Sequence, residues 1–182
     1  MRAYIFLAEG FEEIEAITPI DVLRRADVEV VTVSISNNKM VTGAHNISVE
    51  SDKLFSEIEV SADDYLILPG GMPGTANLMA HEELNKLVKK QYDSGKEIAA
   101  ICAAPSLLGK LGILEGKEAI SYPGFEKNLV GATISEKTVV KSDNIITAKG
   151  PGVAILFALK IVETIKGKDV ANDVAQKMCF QK

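Results

Sequence analysis

The stretch Glu97-Ile98-Ala99-Ala100-Ile101-Cys102-Ala103-Ala104-Pro105 decides the fold. After Glu97 its first half is wholly apolar, as a strand buried on both faces requires. Its second half is small residues ending in a proline, which suits a tight turn and then the first turn of a helix. A buried strand that runs straight into a helix is the repeating unit of a parallel α/β sheet. Cys102 stands at the junction.

Similar units occur on both sides. Apolar runs at Ala3–Leu7, Val28–Val33, Tyr65–Leu68, Glu97–Ile101, Glu118–Ser121 and Asn144–Thr147 alternate with helically spaced segments, such as Leu84, Leu87, Val88 and Tyr92 on one face. The alternation predicts a mostly parallel sheet covered by helices on both sides. Thr18-Pro19-Ile20-Asp21 reads as a helix start, with the helix running to about Ala26. Gly95 and Gly167 read as stops for helices over Glu82–Ser94 and Val153–Lys166, the latter apolar nearly all round and therefore buried. Asn37–Asp52 and Ala132–Ser142 read as hairpins. No repeat or linker divides the 182 residues, so a single domain over 1–182 is expected.

Composition narrows the function. With 47% apolar and 25% charged residues the chain is globular, and a net charge of -5 does not suit a general nucleic-acid binder. No segment has the length of a membrane span, and the N-terminus shows no cleavage site of the secretory kind. Two cysteines, Cys102 and Cys179, fit a reducing compartment, so a cytoplasmic location is expected. Metal-ligand spacings such as C-x-x-C are missing, and Gly150-Pro151-Gly152 lacks the lysine and hydroxyl of a phosphate loop; no metal or cofactor is expected.

Chemistry in such a sheet sits beyond the carboxyl ends of the strands. The loops leaving those ends hold Glu9–Glu15, Pro69–Gly74, Cys102–Pro105, Tyr122-Pro123-Gly124 and Lys149–Gly152. Cys102 at a strand–turn–helix junction has the placing of a nucleophile elbow, and a sulfur at a helix N-terminus is expected to titrate well below an ordinary cysteine. On position alone the alternative is an inert buried cysteine. Glu15, set among Ile14, Ala16 and Ile17, either faces the same pocket as a proton donor and acceptor or is a solvated acid of a first helical turn. Gly70 and Gly71 let the backbone approach a substrate and, with the amide of Ala103, form an oxyanion site; the alternative is an ordinary tight turn. His81 is expected in solvent at a helix start. Neither it nor His45 lies in these loops, which argues against a Cys–His pair within one subunit.

Taken together, Ala8–Glu15, Pro19–Arg25, Leu68–Gly71, Ala99–Pro105 and Lys149–Gly152 resemble, in order, the motifs of the ThiJ/PfpI superfamily, in particular the branch of the parkinsonism-associated protein deglycase and bacterial ThiJ-type proteins. The resemblance implies a flavodoxin-like three-layer α/β/α sandwich, usually a homodimer. It implies catalytic roles for Cys102 and Glu15, oxyanion or substrate-binding roles for Gly71, Ala103 and Gly70, and a place near the site for Tyr122. The chain departs from the pattern at three positions. Ala103 stands where the protease-like branch has histidine, Tyr122 where the parkinsonism-associated relative has histidine, and His45 where that relative has arginine. The implied activity is cofactor-independent turnover of methylglyoxal or its early thiol and amine adducts. A redox-responsive chaperone or oxidative-stress sensor is the alternative, and a cysteine peptidase comes third.

Overall fold

The computed structural model describes residues 1–180. The first half of the chain forms β1 (Arg2–Leu7), α1 (Glu13–Arg25), β2 (Glu29–Ser34), β3 (Met40–Thr42), β4 (Ser48–Glu50), β5 (Lys53–Leu54), β6 (Tyr65–Leu68), α2 (Gly74–Ala80) and α3 (Glu82–Asp93). The second half forms β7 (Ile98–Ile101), α4 (Pro105–Lys110), β8 (Glu118–Ala119), β9 (Thr133–Ile134), β10 (Val139–Ser142), β11 (Ile145–Ala148), α5 (Ala154–Lys166) and α6 (Lys168–Lys177). Seven strands make one sheet in the order β10-β11-β7-β6-β1-β2-β5. Every neighbouring pair is parallel except β10 with β11.

The apolar character of the central strands follows from the layers they separate. Ala3, Ile5 and Leu7 of β1, Ile67 of β6 and Ile101 of β7 pack with Leu23 of α1, Phe157 and Ile161 of α5 and Val174 of α6. The residues between them, Tyr4 and Phe6, Leu66 and Leu68, Ile98 and Ala100, pack on the other side with Leu78, Leu84, Val88 and Leu107 of α2, α3 and α4. A period of two sends alternate side chains to opposite faces, and both faces are covered. This is the expected three-layer sandwich.

The structure corrects four local expectations. α1 begins at Glu13, and Pro19 lies buried inside it. A proline there supplies no N–H to the carbonyl four residues back, that of Glu15, yet packing of α1 on the sheet and α5 outweighs the loss. Ala132–Ser142 does not close on itself: β9 pairs in parallel with β8, and β10 pairs with β11 across a two-residue turn in which Asp143 has φ 51°. The run Glu118–Ser121 stays outside the main sheet, because β10 holds the free edge of β11; Ile120 N–H donates instead to Thr147 Oγ1 at 3.0 Å. His81 is half-buried rather than solvated; its Nδ1 caps α3 by accepting from Leu84 N–H at 3.1 Å, and its ring packs on Phe55. The Asn37–Asp52 hairpin forms as expected, as β3 against β4.

Candidate active site

The β7–α4 junction holds Cys102 in the left-handed region, at φ 65°. A non-glycine residue pays for that conformation in steric strain, and such strain concentrates at functional turns. A neighbouring strand and a neighbouring loop hold it there. Cys102 N–H donates to Ala148 C=O at 2.9 Å, and Cys102 C=O accepts from Tyr122 N–H at 2.8 Å. The sharp turn leaves Cys102, only 8% exposed, above the carboxyl end of the sheet in the placing of a nucleophile elbow.

Glu15 comes from the first turns of α1 and is fully buried. Its Oε2 accepts from Gly70 N–H at 2.9 Å, while Oε1 is buried without a formed hydrogen bond. Gly70 is a glycine because nothing larger fits. A Cβ there would stand 2.7 Å from both Cys102 Cβ and Glu15 Oε2. The expected role of Gly70 therefore shifts: its amide is committed to Glu15, and its bareness lets Glu15 and Cys102 come together. Gly71, at φ 92°, and Ala103 turn their amides toward the sulfur.

The electrostatics of the pair follow from burial. Loss of solvent pushes the Glu15 carboxyl up to about 7, opposed by hydrogen bonding with Cys102 and Gly70 and reinforced by the charge of Glu12. Burial first, then the charge and hydrogen bonding of Glu15, push the Cys102 thiol up to about 12, against the pull of the Gly71 and Ala103 amides. The expectation of a strongly depressed thiol is thus overturned. α4 is a short helix, Pro105–Lys110, and its end does not compensate for desolvation beside a carboxylate. Below about pH 7 both groups hold their protons; above it Glu15 is a carboxylate beside a protonated thiol.

A cavity of about 440 Å³ opens onto the sulfur, and Gly71, Ala103, Tyr122 and His45 share its wall with Cys102. The Gly70, Gly71, Ala103, Glu15 and Tyr122 of the sequence reading are therefore gathered around Cys102. His45 belongs there as well, contrary to expectation. The hairpin brings it in, through Gly10 N–H to Thr42 C=O and Ala44 N–H to Phe11 C=O, both 2.8 Å. Glu13, also missed, fastens that loop: its Oε1 accepts from His45 N–H at 2.7 Å, and its Oε2 pairs with His45 Nδ1 at 2.9 Å. The Glu9–Glu15 loop was visible in the sequence, but nothing local indicated which hairpin would fold over it. Glu12, Glu13 and His45 place ligand-type atoms within 4.8 Å of one another, though those of Glu13 already hold the loop. Cys179 is exposed and unpaired.

The fold and site define a flavodoxin-like sandwich built around a cysteine on a strained elbow with a buried glutamate against it. The DJ-1/PfpI family profile matches residues 1–164, and the chain belongs to that family. It is 36% identical over 175 residues to a glutathione-independent glyoxalase of Caenorhabditis elegans, covering 96% of this chain and 93% of the relative. It is 30% identical over 168 residues to a deglycase of Pyrococcus abyssi, covering 91% of this chain and 100% of the relative. The solved structure of oxidised Toxoplasma gondii DJ-1 superposes with a TM-score of 0.94 at 35% identity, covering 100% of this chain and 99% of that one.

Proposed function

We propose that the chain, as one domain over 1–182, is a cofactor-independent enzyme of the glyoxalase/deglycase type, acting on methylglyoxal or its early adducts through Cys102 and Glu15. The observation that carries the reading is Glu15, a fully buried carboxyl with one uncommitted oxygen beside a strained cysteine and a titration point near 7. Such a group is poised to take and return protons near neutral pH. As sulfur adds to the aldehyde carbon, Glu15 takes the thiol proton and passes it to the new alkoxide, which the Gly71 and Ala103 amides meet. The resulting hemithioacetal loses its carbon-bound proton to the Glu15 carboxylate, giving an enediolate. Return of that proton to the neighbouring carbon, with the hydroxyl proton shifting from the first oxygen to the second, leaves a thioester of a 2-hydroxy acid. Water then cleaves the thioester, restoring the thiol, so that methylglyoxal plus water becomes lactate. The names borne by the nematode and archaeal relatives support this substrate class.

The test is turnover of methylglyoxal by the purified wild type against Cys102→Ser and Glu15→Gln. Wild-type turnover no greater than that of Cys102→Ser overturns the reading. A second reading has its own support: amides aimed at a sulfur also suit an oxidised one, and a close structural relative was solved in an oxidised form. In that reading Cys102 oxidation would govern chaperone-like or stress-sensing behaviour. Clean sulfinate formation at Cys102 without turnover would favour it.

We propose further that the chain works as a homodimer in the cytoplasm. Ile14, on the cavity wall, and Ile17 of α1 are exposed, at 53% and 41%, and a second copy would cover them. Sedimentation showing only monomer at micromolar concentration would remove that part. The unpaired Cys102 and Cys179 suit a reducing compartment. Among the described residues no helix is long and apolar enough to cross a membrane.

A further inference from the structure

The cavity over Cys102 does not end at Tyr122. A second one, of about 280 Å³, adjoins it and shares Tyr122 and Pro151 with the first. Its wall is otherwise Pro123, Val153 and the Gly150 and Gly152 backbone, with Lys149 at the rim. Gly150 makes the partition possible: a Cβ there would lie 3.0 Å from the Tyr122 ring. The Lys149 side chain is exposed and enters none of the ion pairs among the described residues. Glu12 also lines the Cys102 cavity, with Glu13 close behind. His45 pairs with both of those acids, so the uncommitted positive charge bordering the two cavities is the Lys149 ammonium, which favours an anionic group in the second one.

The geometry points to a carrier subsite: the second cavity holds the non-reacting part of a 2-oxoaldehyde adduct, with a carboxylate of the carrier against Lys149. This rests on the proposed aldehyde chemistry at Cys102. The ligand class is a small thiol or amine bearing a carboxylate and a short apolar stem, which lies over Tyr122 and Pro151. The carrier departs when the Cys102 sulfur replaces it on the aldehyde carbon. The bond from that carbon to the carrier's sulfur or nitrogen breaks, and the thiol proton travels through Glu15 to the departing atom.

Binding tests the subsite independently of turnover. The probes are the unreactive thioether N-acetyl-S-acetonyl-cysteine and its carboxamide, titrated by NMR or calorimetry into Cys102→Ser protein. The carboxylate should bind about threefold to fivefold more tightly than the amide, the range of a partly exposed ion pair. Lys149→Ala should abolish the preference, Lys149→Glu should invert it, and added salt should shrink it. In wild type, kcat/KM for methylglyoxal adducts of N-acetylcysteine and of N-α-acetyl-lysine against their amides should show the same ratio, and the two carriers separate thiol from amine substrates. Equal binding of acid and amide, or a preference that survives Lys149→Glu, overturns the subsite even if turnover is robust. A Lys149-dependent preference in a protein without turnover keeps the subsite and removes the aldehyde reading.

Discussion

Two buried carboxylates sit at opposite ends of the same sheet and are treated in opposite ways. Asp64, just before β6 at the amino end, is 3% exposed and fully engaged. It accepts from Arg2 N–H at 2.8 Å, from the Arg2 guanidinium at 3.2 Å and from Ser61 N–H at 2.9 Å. Burial alone would raise its pKa, but the donors from Ser61 and Arg2 outweigh burial and hold it below the usual carboxylate range. Glu15, at the carboxyl end, receives one backbone donor, keeps one oxygen free and is raised to about 7. A satisfied carboxylate fixes a chain terminus; an unsatisfied one is held ready for a proton. The difference lies in both depth and donors: Glu15 is the more deeply desolvated of the two and has the fewer donors.

The strongest way to break this comparison is to exchange carboxyl for amide at each end. Glu15→Gln should lower methylglyoxal turnover by about 10²–10⁴-fold, since the amide fills the space but accepts no carbon proton. Its kcat/KM in wild type should rise with pH through about 7, as the base form of Glu15 appears. Steady-state kinetics across a pH series checks both; a flat profile would separate Glu15 from the proton transfer. Asp64→Asn should leave the kinetics of the folded protein intact and instead cost about 1–3 kcal/mol in a denaturant titration, by weakening charge-assisted bonds to Arg2 and Ser61.

The pH dependence of stability sharpens the same contrast, because the signs are opposite. Asp64 has a lowered folded pKa, so its contribution is present above its ordinary value of 3.8 and lost as pH falls through the folded one. Glu15 has a raised folded pKa, so the fold is favoured while Glu15 is neutral, and stability declines as pH rises from about 4.5 through about 7. The full decline is about 3 kcal/mol. Between pH 5 and pH 8 the stability of Glu15→Gln should therefore rise relative to wild type by up to about that amount. Chemical denaturation at the two pH values measures it, and an unchanged difference would show that Glu15 is solvated.

The sequence made one end of this comparison legible and not the other. β1 after Arg2, β6 and β7 are apolar at every position, so their burial on both faces and the position of Cys102 could be read from the sequence. Glu15 was visible only as a residue out of place among isoleucines, and the family motifs gave it a role. Its depth depends on Gly70 and Cys102, which are distant in the chain. The raised thiol was not legible at all, because it depends on how little solvent reaches the pair once the loops close. Nor was the path of the hairpin that delivers His45, since Glu13 fixes it through backbone amides that any residue would supply. Pro19 misled because helix-start preference is weak beside the packing of α1 on α5. Asp64 gave no sequence signal, as its donors are a chain terminus and a loop.

The smallest expected effect tests whether crowding at the site is as specific as the chemistry. Gly70 and Gly95 both follow apolar or helical segments and look interchangeable as turn glycines. Their surroundings differ. An added Cβ at Gly70 meets Cys102 Cβ, Glu15 Oε2 and the Ile101 carbonyl within 2.9 Å, whereas at Gly95 nothing lies within 4 Å and only the positive φ of 70° resists. Gly70→Ala should thus cost about 1–3 kcal/mol through overpacking and push Glu15 from Cys102, lowering turnover as well. Gly95→Ala should cost about 1 kcal/mol, from backbone strain alone, and leave kcat unchanged. Measuring unfolding and methylglyoxal kinetics on both variants separates the two causes. If Gly70→Ala keeps wild-type turnover, the glutamate and cysteine tolerate displacement, and their close approach is not what the glycine protects.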